Sequence, residues 1–322
     1  MLLEYERKRC EYCRFEDVTL RVRYWTVLDV TRHYADGWSV GAHIDIGLIM
    51  VGLRVALAGL GAVGLPVAEV LLSGGIPGMS LVAVSSSSKS SATAKLANLV
   101  GGDSVACVPL AELAQHADIV VEGLPPARFL EAAEPTLTAG KTLIAMSVTQ
   151  ILKNMELKDL AARSGGRIIV PTGALCGLDA VRAATEGGHV HSVVMQTRKP
   201  PKSLQNAPFV REQGLDLSSL SEPMRLYAGS VNDAAQRFPA NVNVAVALAL
   251  AGVGPDATQY ELWADPHVER NTHTFAVKSA ESDFDVRVAG VPTASNPATG
   301  ALTPLSTIAT LRGLVAPMRV GT

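Results

Sequence analysis

Gly59-Leu-Gly61-Ala-Val-Gly64 follows directly on the apolar run Arg54-Val-Ala-Leu-Ala-Gly59 and opens a helical pattern that continues through Leu72. Nothing else in the chain restricts its fold as strongly. A G-x-G-x-x-G set is a weak signal in a sequence with 28 glycines, but the order strand, tight turn, helix is the dinucleotide-binding arrangement. Gly59 permits the turn, Gly61 lets the backbone approach a pyrophosphate, and Gly64 lets the helix sit close to the strand. Ala62 and Val63 lie between them, at a helix N-terminus whose partial positive charge faces the phosphates. Gly59, Gly61, Ala62, Val63 and Gly64 are therefore the candidate cofactor-binding loop, with NAD or NADP as the cofactor.

The second strand, Leu81 to Val84, is followed by Ser85-Ser-Ser-Ser-Lys89. An acidic residue at this place bonds the ribose 2′-hydroxyl of NAD. Four hydroxyls and an ammonium instead suit a 2′-phosphate, so Ser85 joins the cofactor candidates and strict NAD specificity is not expected. Further buried strands read at Val105 to Val108, Asp118 to Glu122, Lys141 to Met146 and Arg167 to Val170, with helices at Ser91 to Val100 and Ala127 to Thr138. Strands alternating with helices imply βαβ units and a parallel sheet.

Beyond Pro171 the rhythm changes. His189 to Thr197 alternates like a half-buried strand, a Pro-containing loop runs over 200–223, and strands follow near Arg225 to Ala228, Gln259 to Ala264, Thr272 to Lys278 and Phe284 to Ala289. An apolar helix spans about 240–251 and an amphipathic one Leu305 to Val315. The expected fold class is α/β, a Rossmann-type parallel sheet domain over 51–171 followed by an α+β catalytic and dimerisation domain over 172–295. Residues 296–322 supply a C-terminal helix that packs back on the Rossmann domain.

Residues 1–50 differ in composition. They carry 15 of the 58 charged residues and seven of the 15 aromatics, with neither strict alternation nor a helical stripe. They read as a poorly ordered extension, or as sequence upstream of a start at Met50; the alternative is extra strands anchored on the body by Trp25 and Trp38. Cys10-x-x-Cys13 lacks the second ligand pair of a structural zinc site, so no metal is expected, and Cys107 and Cys176 read as buried thiols of a reduced, cytoplasmic protein. The formal charge of −2 gives no electrostatic footprint for nucleic acid, and no apolar run is long enough to span a membrane.

Four segments of the second half carry a resemblance: Pro171-Thr-Gly-Ala-Leu-Cys-Gly-Leu-Asp-Ala180, Thr197-Arg-Lys-Pro-Pro201, Phe238-Pro-Ala-Asn-Val-Asn-Val-Ala245, and Ala264-Asp-Pro266 continuing to Arg270-Asn-Thr-His273. With the glycine loop they resemble the L-aspartate dehydrogenases, over about residues 53–315. The resemblance implies oxidation of L-aspartate to iminoaspartate, which hydrolyses to oxaloacetate and ammonia or feeds NAD biosynthesis. It further implies His273 as the catalytic residue, Asn243 as a nicotinamide contact, a cofactor contact in the Gly173-Ala174 loop and a homodimer.

The residue types suit that chemistry. Hydride leaves Cα only when the amine is neutral, and an imidazole can take the proton and later activate water near neutral pH. Two substrate carboxylates require cations or helix N-termini, and Arg198 and Lys199 are the candidate substrate-binding residues. Two rival readings stay open: a homoserine dehydrogenase-like or dihydrodipicolinate reductase-like enzyme, and a non-catalytic dinucleotide-sensing protein.

Overall fold

In the computed structural model the described residues are 7–9, 16–18, 52–239, 242–296 and 299–321. Arg7–Arg9 (β1) and Glu16–Val18 (β2) pair antiparallel within a unit, residues 1–49, that clusters separately from residues 50–322. The other expectations for the first fifty residues, the Cys10/Cys13 pair and the two tryptophans included, lie outside the described residues.

Six strands form the first sheet of the larger unit: β3 (Leu53–Ala58), β4 (Met79–Ser85), β5 (Ala106–Cys107), β6 (Ile119–Glu122), β7 (Thr142–Ala145) and β8 (Arg167–Ile169). Their order is β5-β4-β3-β6-β7-β8 and every pairing is parallel. Val55 to Ala58 and Ile119 to Val121 are buried, because helices cover both faces of such a sheet, and this is why the strands read as unbroken apolar runs. The winding direction reverses between β3 and β6. At that switch point the strand ends lie level, Ala58 beside Ser85 on one side and beside Glu122 on the other, and an open α/β sheet binds its ligand in the crevice outside these ends. Between β7 and β8 the chain forms helices Val148–Lys153 and Glu156–Ser164, for which the sequence reading has no counterpart.

The second sheet contains β9 (Val190–Lys199), β10 (Met224–Ser230), β11 (Gln259–Ala264), β12 (Thr272–Ser279) and β13 (Asp283–Ala289) in the order β10-β11-β9-β12-β13. β9 and β11 run parallel and the other neighbours antiparallel, so the architecture is the expected Rossmann domain followed by an α+β domain. One face packs against helices Leu178–Glu186, Val231–Arg237 and Asn243–Ala251 in a single core. The last of these is apolar all round, with Ala245 to Ala249 buried, as suits a helix enclosed by its neighbours. The opposite face is more open, and Val194 on it is 41% exposed.

The segment 200–223, expected as loop, contains the short helices Pro201–Leu204 and Pro208–Glu212. Each begins on a proline, which costs nothing at the first helical position because that N–H has no intrahelical partner. Helix Leu302–Val315 returns to the Rossmann core, where Leu311 is buried with Val55, Val67 and Leu71. The thiol expectation needs correction: Cys107 is half-buried and Cys176 is exposed, the latter because it lies in the surface loop between β8 and the Leu178–Glu186 helix. Among the described residues no helix is long and apolar enough to cross a membrane.

Candidate active site

The glycine loop lies at the switch point. Gly59 has φ +108, its N–H donates to the Ser85 carbonyl at 2.8 Å, and Gly123 N–H donates to the Ala58 carbonyl at 3.0 Å. A Cβ on Gly64 would stand 2.0 Å from the Gly59 carbonyl oxygen, whereas one on Gly61 would meet nothing within 4 Å. Gly64 thus serves the close packing of loop on helix, and the space at Gly61 is open. Ala62 and Val63 lead into helix Gly64–Leu72, where Leu65 N–H donates to the Gly61 carbonyl at 3.0 Å and Val67 N–H to the Val63 carbonyl at 3.3 Å. Lys95, from the next helix, donates to the Leu60 carbonyl at 2.9 Å and pins the loop from a position that no motif marks.

Beside the loop a cleft of about 720 Å³ is lined by Ser85, Ser86, Ser87, Lys89, Val108 and Arg128, among others. The serine cluster is divided in its duties. Ser88 caps the Lys89–Leu96 helix by accepting from Ser91 N–H at 3.2 Å, whereas Ser85, largely buried, lines the cleft together with Ser86, Ser87 and Lys89. The wall opposite carries Arg128, paired with Glu131 at 2.8 and 3.0 Å. Sequence reasoning missed Arg128, since an isolated arginine in a helical stretch carries no motif. No carboxylate stands at the end of β4. The cleft next to the glycine turn leaves room for part of a dinucleotide.

A second cleft of about 180 Å³ is lined by Leu124, Pro126, Ser147, Thr149, Gln150, Pro239 and Asn243. Asn243 comes from the second domain and the first five from the Rossmann domain. Next to it lies Glu122, fully buried at the end of β6. Its carboxylate accepts from Leu124 N–H at 2.7 Å, Met146 N–H at 3.2 Å, Ser147 N–H at 3.0 Å and the Ser147 hydroxyl at 2.8 Å. Burial pushes the Glu122 carboxyl upward against these four donors, which favour its ionised form. The tight bundle holds the ends of β6 and β7 together, and the sequence shows only an acid terminating an apolar strand.

His273 sits on β12 directly opposite Thr197 of β9, and its Nδ1 lies 3.0 Å from the Thr197 hydroxyl. That contact occupies one ring nitrogen and leaves Nε2 for a reacting group. The imidazole is 5% exposed, and burial, with the neighbouring Lys199 charge second, pushes its pKa down to about 4. Burial likewise lowers Lys199 to about 8. A neutral imidazole thus lies next to a buried ammonium. Thr197 is also flanked by Tyr260, whose buried hydroxyl has no partner in hydrogen-bond geometry among the described residues.

The structure separates the two candidate cations. Successive strand residues point to opposite faces, so Lys199 shares the helix-covered face with Thr197 and His273 while Arg198 points to the open one. There Arg198 bonds Asp265 at 2.8 Å and Gln196 at 2.8 Å and stacks 4.7 Å over Trp263. Arg198 is thus committed away from His273, and Lys199 is the cation that accompanies it. Ala174 lies in the loop after β8, half-buried, where Gly173 N–H donates to Ser306 of the C-terminal helix at 3.1 Å; it lines neither of the two clefts.

Known proteins match this layout in both halves. Residues 179–314 match the family described as aspartate dehydrogenase, C-terminal, and residues 59–171 match the homoserine dehydrogenase NAD binding domain. The chain is 49% identical over 270 residues to L-aspartate dehydrogenase 3 of Bordetella bronchiseptica, covering 84% of this chain and 98% of that protein. It is 46% identical to the L-aspartate dehydrogenase of Bradyrhizobium diazoefficiens, with 84% and 94% covered. The crystal structure of aspartate dehydrogenase from Thermotoga maritima superposes with a TM-score of 0.61 at 25% identity, over 84% of this chain and 99% of that one. With relatives this similar spanning both domains, the chain belongs to the L-aspartate dehydrogenase family.

Proposed function

We propose that the protein oxidises L-aspartate to iminoaspartate with NAD or NADP, and that His273 is its catalytic base. The observation that carries the reading is the neutral, buried imidazole held through Nδ1 by Thr197 beside the Lys199 ammonium, in a chain whose other half has an open dinucleotide loop. The cofactor, when bound, supplies the hydride acceptor. Nε2 of His273 takes a proton from the substrate ammonium, and the freed amine lone pair forms the C=N bond as hydride leaves Cα. Once Nε2 has released that proton to solvent, it accepts a second one from the water that hydrolyses the imine to oxaloacetate and ammonia. Two carboxylates arriving next to the ring counter the charge of Lys199 and raise its basicity toward the working range.

The open face of the second sheet, with Val194 and Trp263 on it, is the surface we assign to a homodimer. The reading is tested by following NAD(P) reduction with a panel of amino acids, on protein expected to have the mass of two chains by light scattering. L-Aspartate is expected to exceed L-glutamate, D-aspartate and L-homoserine by about 10²-fold or more in kcat/KM, since a substrate of wrong length or charge leaves a buried polar group unpaired. Equal turnover of homoserine would overturn it in favour of the rival enzyme class.

Lys199 yields a pH prediction. An ammonium lowered to about 8 is charged below that pH and neutral above it. Succinate, which has both carboxylates but no amine and no group titrating near pH 8, should inhibit with a constant that rises steeply above about pH 8 relative to its value near pH 7. Lys199→Met should flatten the profile. A level profile in the unmodified protein would show that Lys199 does not bind a carboxylate.

A further inference from the structure

Two helix starts from different domains meet at the smaller cleft. Thr149, in the first turn of Val148–Lys153, is 1% exposed and sends two donors to one atom: its backbone N–H lies 3.0 Å and its hydroxyl 2.5 Å from Oδ1 of Asn243. Asn243 opens the helix Asn243–Ala251 of the second domain. A backbone N–H cannot act as an acceptor, so the amide atom it meets must be the oxygen, and the usual ambiguity between amide O and N does not arise. That oxygen has two lone pairs, and both are taken. What Asn243 has left to offer the cleft it lines is its NH2 group. The turn bearing Thr149 is itself held from behind, since Glu122 accepts from the N–H and hydroxyl of Ser147 two residues earlier.

We infer that Thr149 is a positioning residue that sets the polarity of Asn243, making it a donor to the carbonyl oxygen of the cofactor's nicotinamide carboxamide and not an acceptor from its NH2. The inference rests on the reading of the clefts as the dinucleotide site. Thr149 touches no reacting atom in this scheme; it acts through Asn243 alone. A latch that merely joined the two domains would weaken every ligand alike. A polarity device costs only the nicotinamide end.

Calorimetric titration separates these, with NAD, ADP-ribose, acetylpyridine adenine dinucleotide and thionicotinamide adenine dinucleotide as probes. The acetyl analogue keeps the carbonyl oxygen and loses the NH2; the thio analogue keeps the NH2 and exchanges the oxygen for a poor acceptor. The unmodified protein should bind the acetyl analogue within about threefold of NAD and the thio analogue about tenfold more weakly, the worth of one hydrogen bond. Thr149→Val removes the hydroxyl and keeps the backbone N–H on Oδ1, so Asn243 is held less firmly with its polarity unchanged. NAD should weaken about threefold, ADP-ribose should not change, the acetyl analogue should still bind better than the thio analogue, and Thr149→Ser should recover NAD binding. Selective loss of the acetyl analogue would overturn the inference, as would a Thr149→Val variant that matches the unmodified protein or loses ADP-ribose equally. If that variant is insoluble, the analogue comparison on the unmodified protein decides alone. No binding of any probe would remove the dinucleotide reading itself, and the inference with it.

Discussion

His273→Ala is expected to lower kcat for L-aspartate by about 10²–10⁴-fold, the usual worth of a positioned acid–base group, while the Kd for NAD or NADP stays within about twofold of the unmodified value. The size of the effect follows from the surroundings. The ring lies on the helix-covered face of the second sheet with Thr197 at Nδ1 and Lys199 as the neighbouring charge. Lys199 at about 8 is mostly protonated at neutral pH and cannot take the proton there. The cofactor loop belongs to the other domain and should not register the change. Should the variant retain more than about a third of kcat, the base is another group and the role of His273 is lost.

Gly61→Val is expected to abolish binding of both NAD and NADP without unfolding the protein. A Cβ at this position meets no protein atom within 4 Å, so the fold should accept the side chain, while a pyrophosphate approaching the second glycine of the turn should not. Its melting temperature should remain within about 2 °C of the unmodified value, the scale of less than 1 kcal/mol in a protein of this size. Gly64→Ala provides the contrast: its Cβ would stand 2.0 Å from the Gly59 carbonyl oxygen, so strand and helix must part and stability must fall. Differential scanning calorimetry and cofactor titration on the two variants check both halves. Retained affinity in Gly61→Val would place the pyrophosphate elsewhere.

Much of this architecture is written locally. The glycine loop is legible because strand, turn and helix occupy adjacent residues, and each glycine answers a backbone demand set within six positions. The parallel sheet is legible because its buried strands must be apolar on both faces. Short helices were less so. Pro201–Leu204 and Pro208–Glu212 hide in a proline-containing stretch, since proline both opens helices and breaks them, and nothing nearby says which. The alternation that sends Arg198 and Lys199 to opposite faces is present in the sequence of β9. Which of those faces the helices cover is not, because that depends on segments packed from elsewhere in the chain.

By itself, then, the sequence marked the glycine loop, the order of a Rossmann and an α+β half and, through its resemblance, His273 and Asn243 as the candidates. The tertiary structure alone decided what surrounds them. Thr149 and Asn243 are 94 residues apart, Thr197 and His273 are 76 apart, and Glu122 reaches Ser147 across 25. None of these pairs shares a strand, helix or turn, so no periodicity links them. Their hydrogen bonds exist because two sheets and their helices pack at fixed distances, and a buried polar group takes its partner from whatever that packing brings within reach.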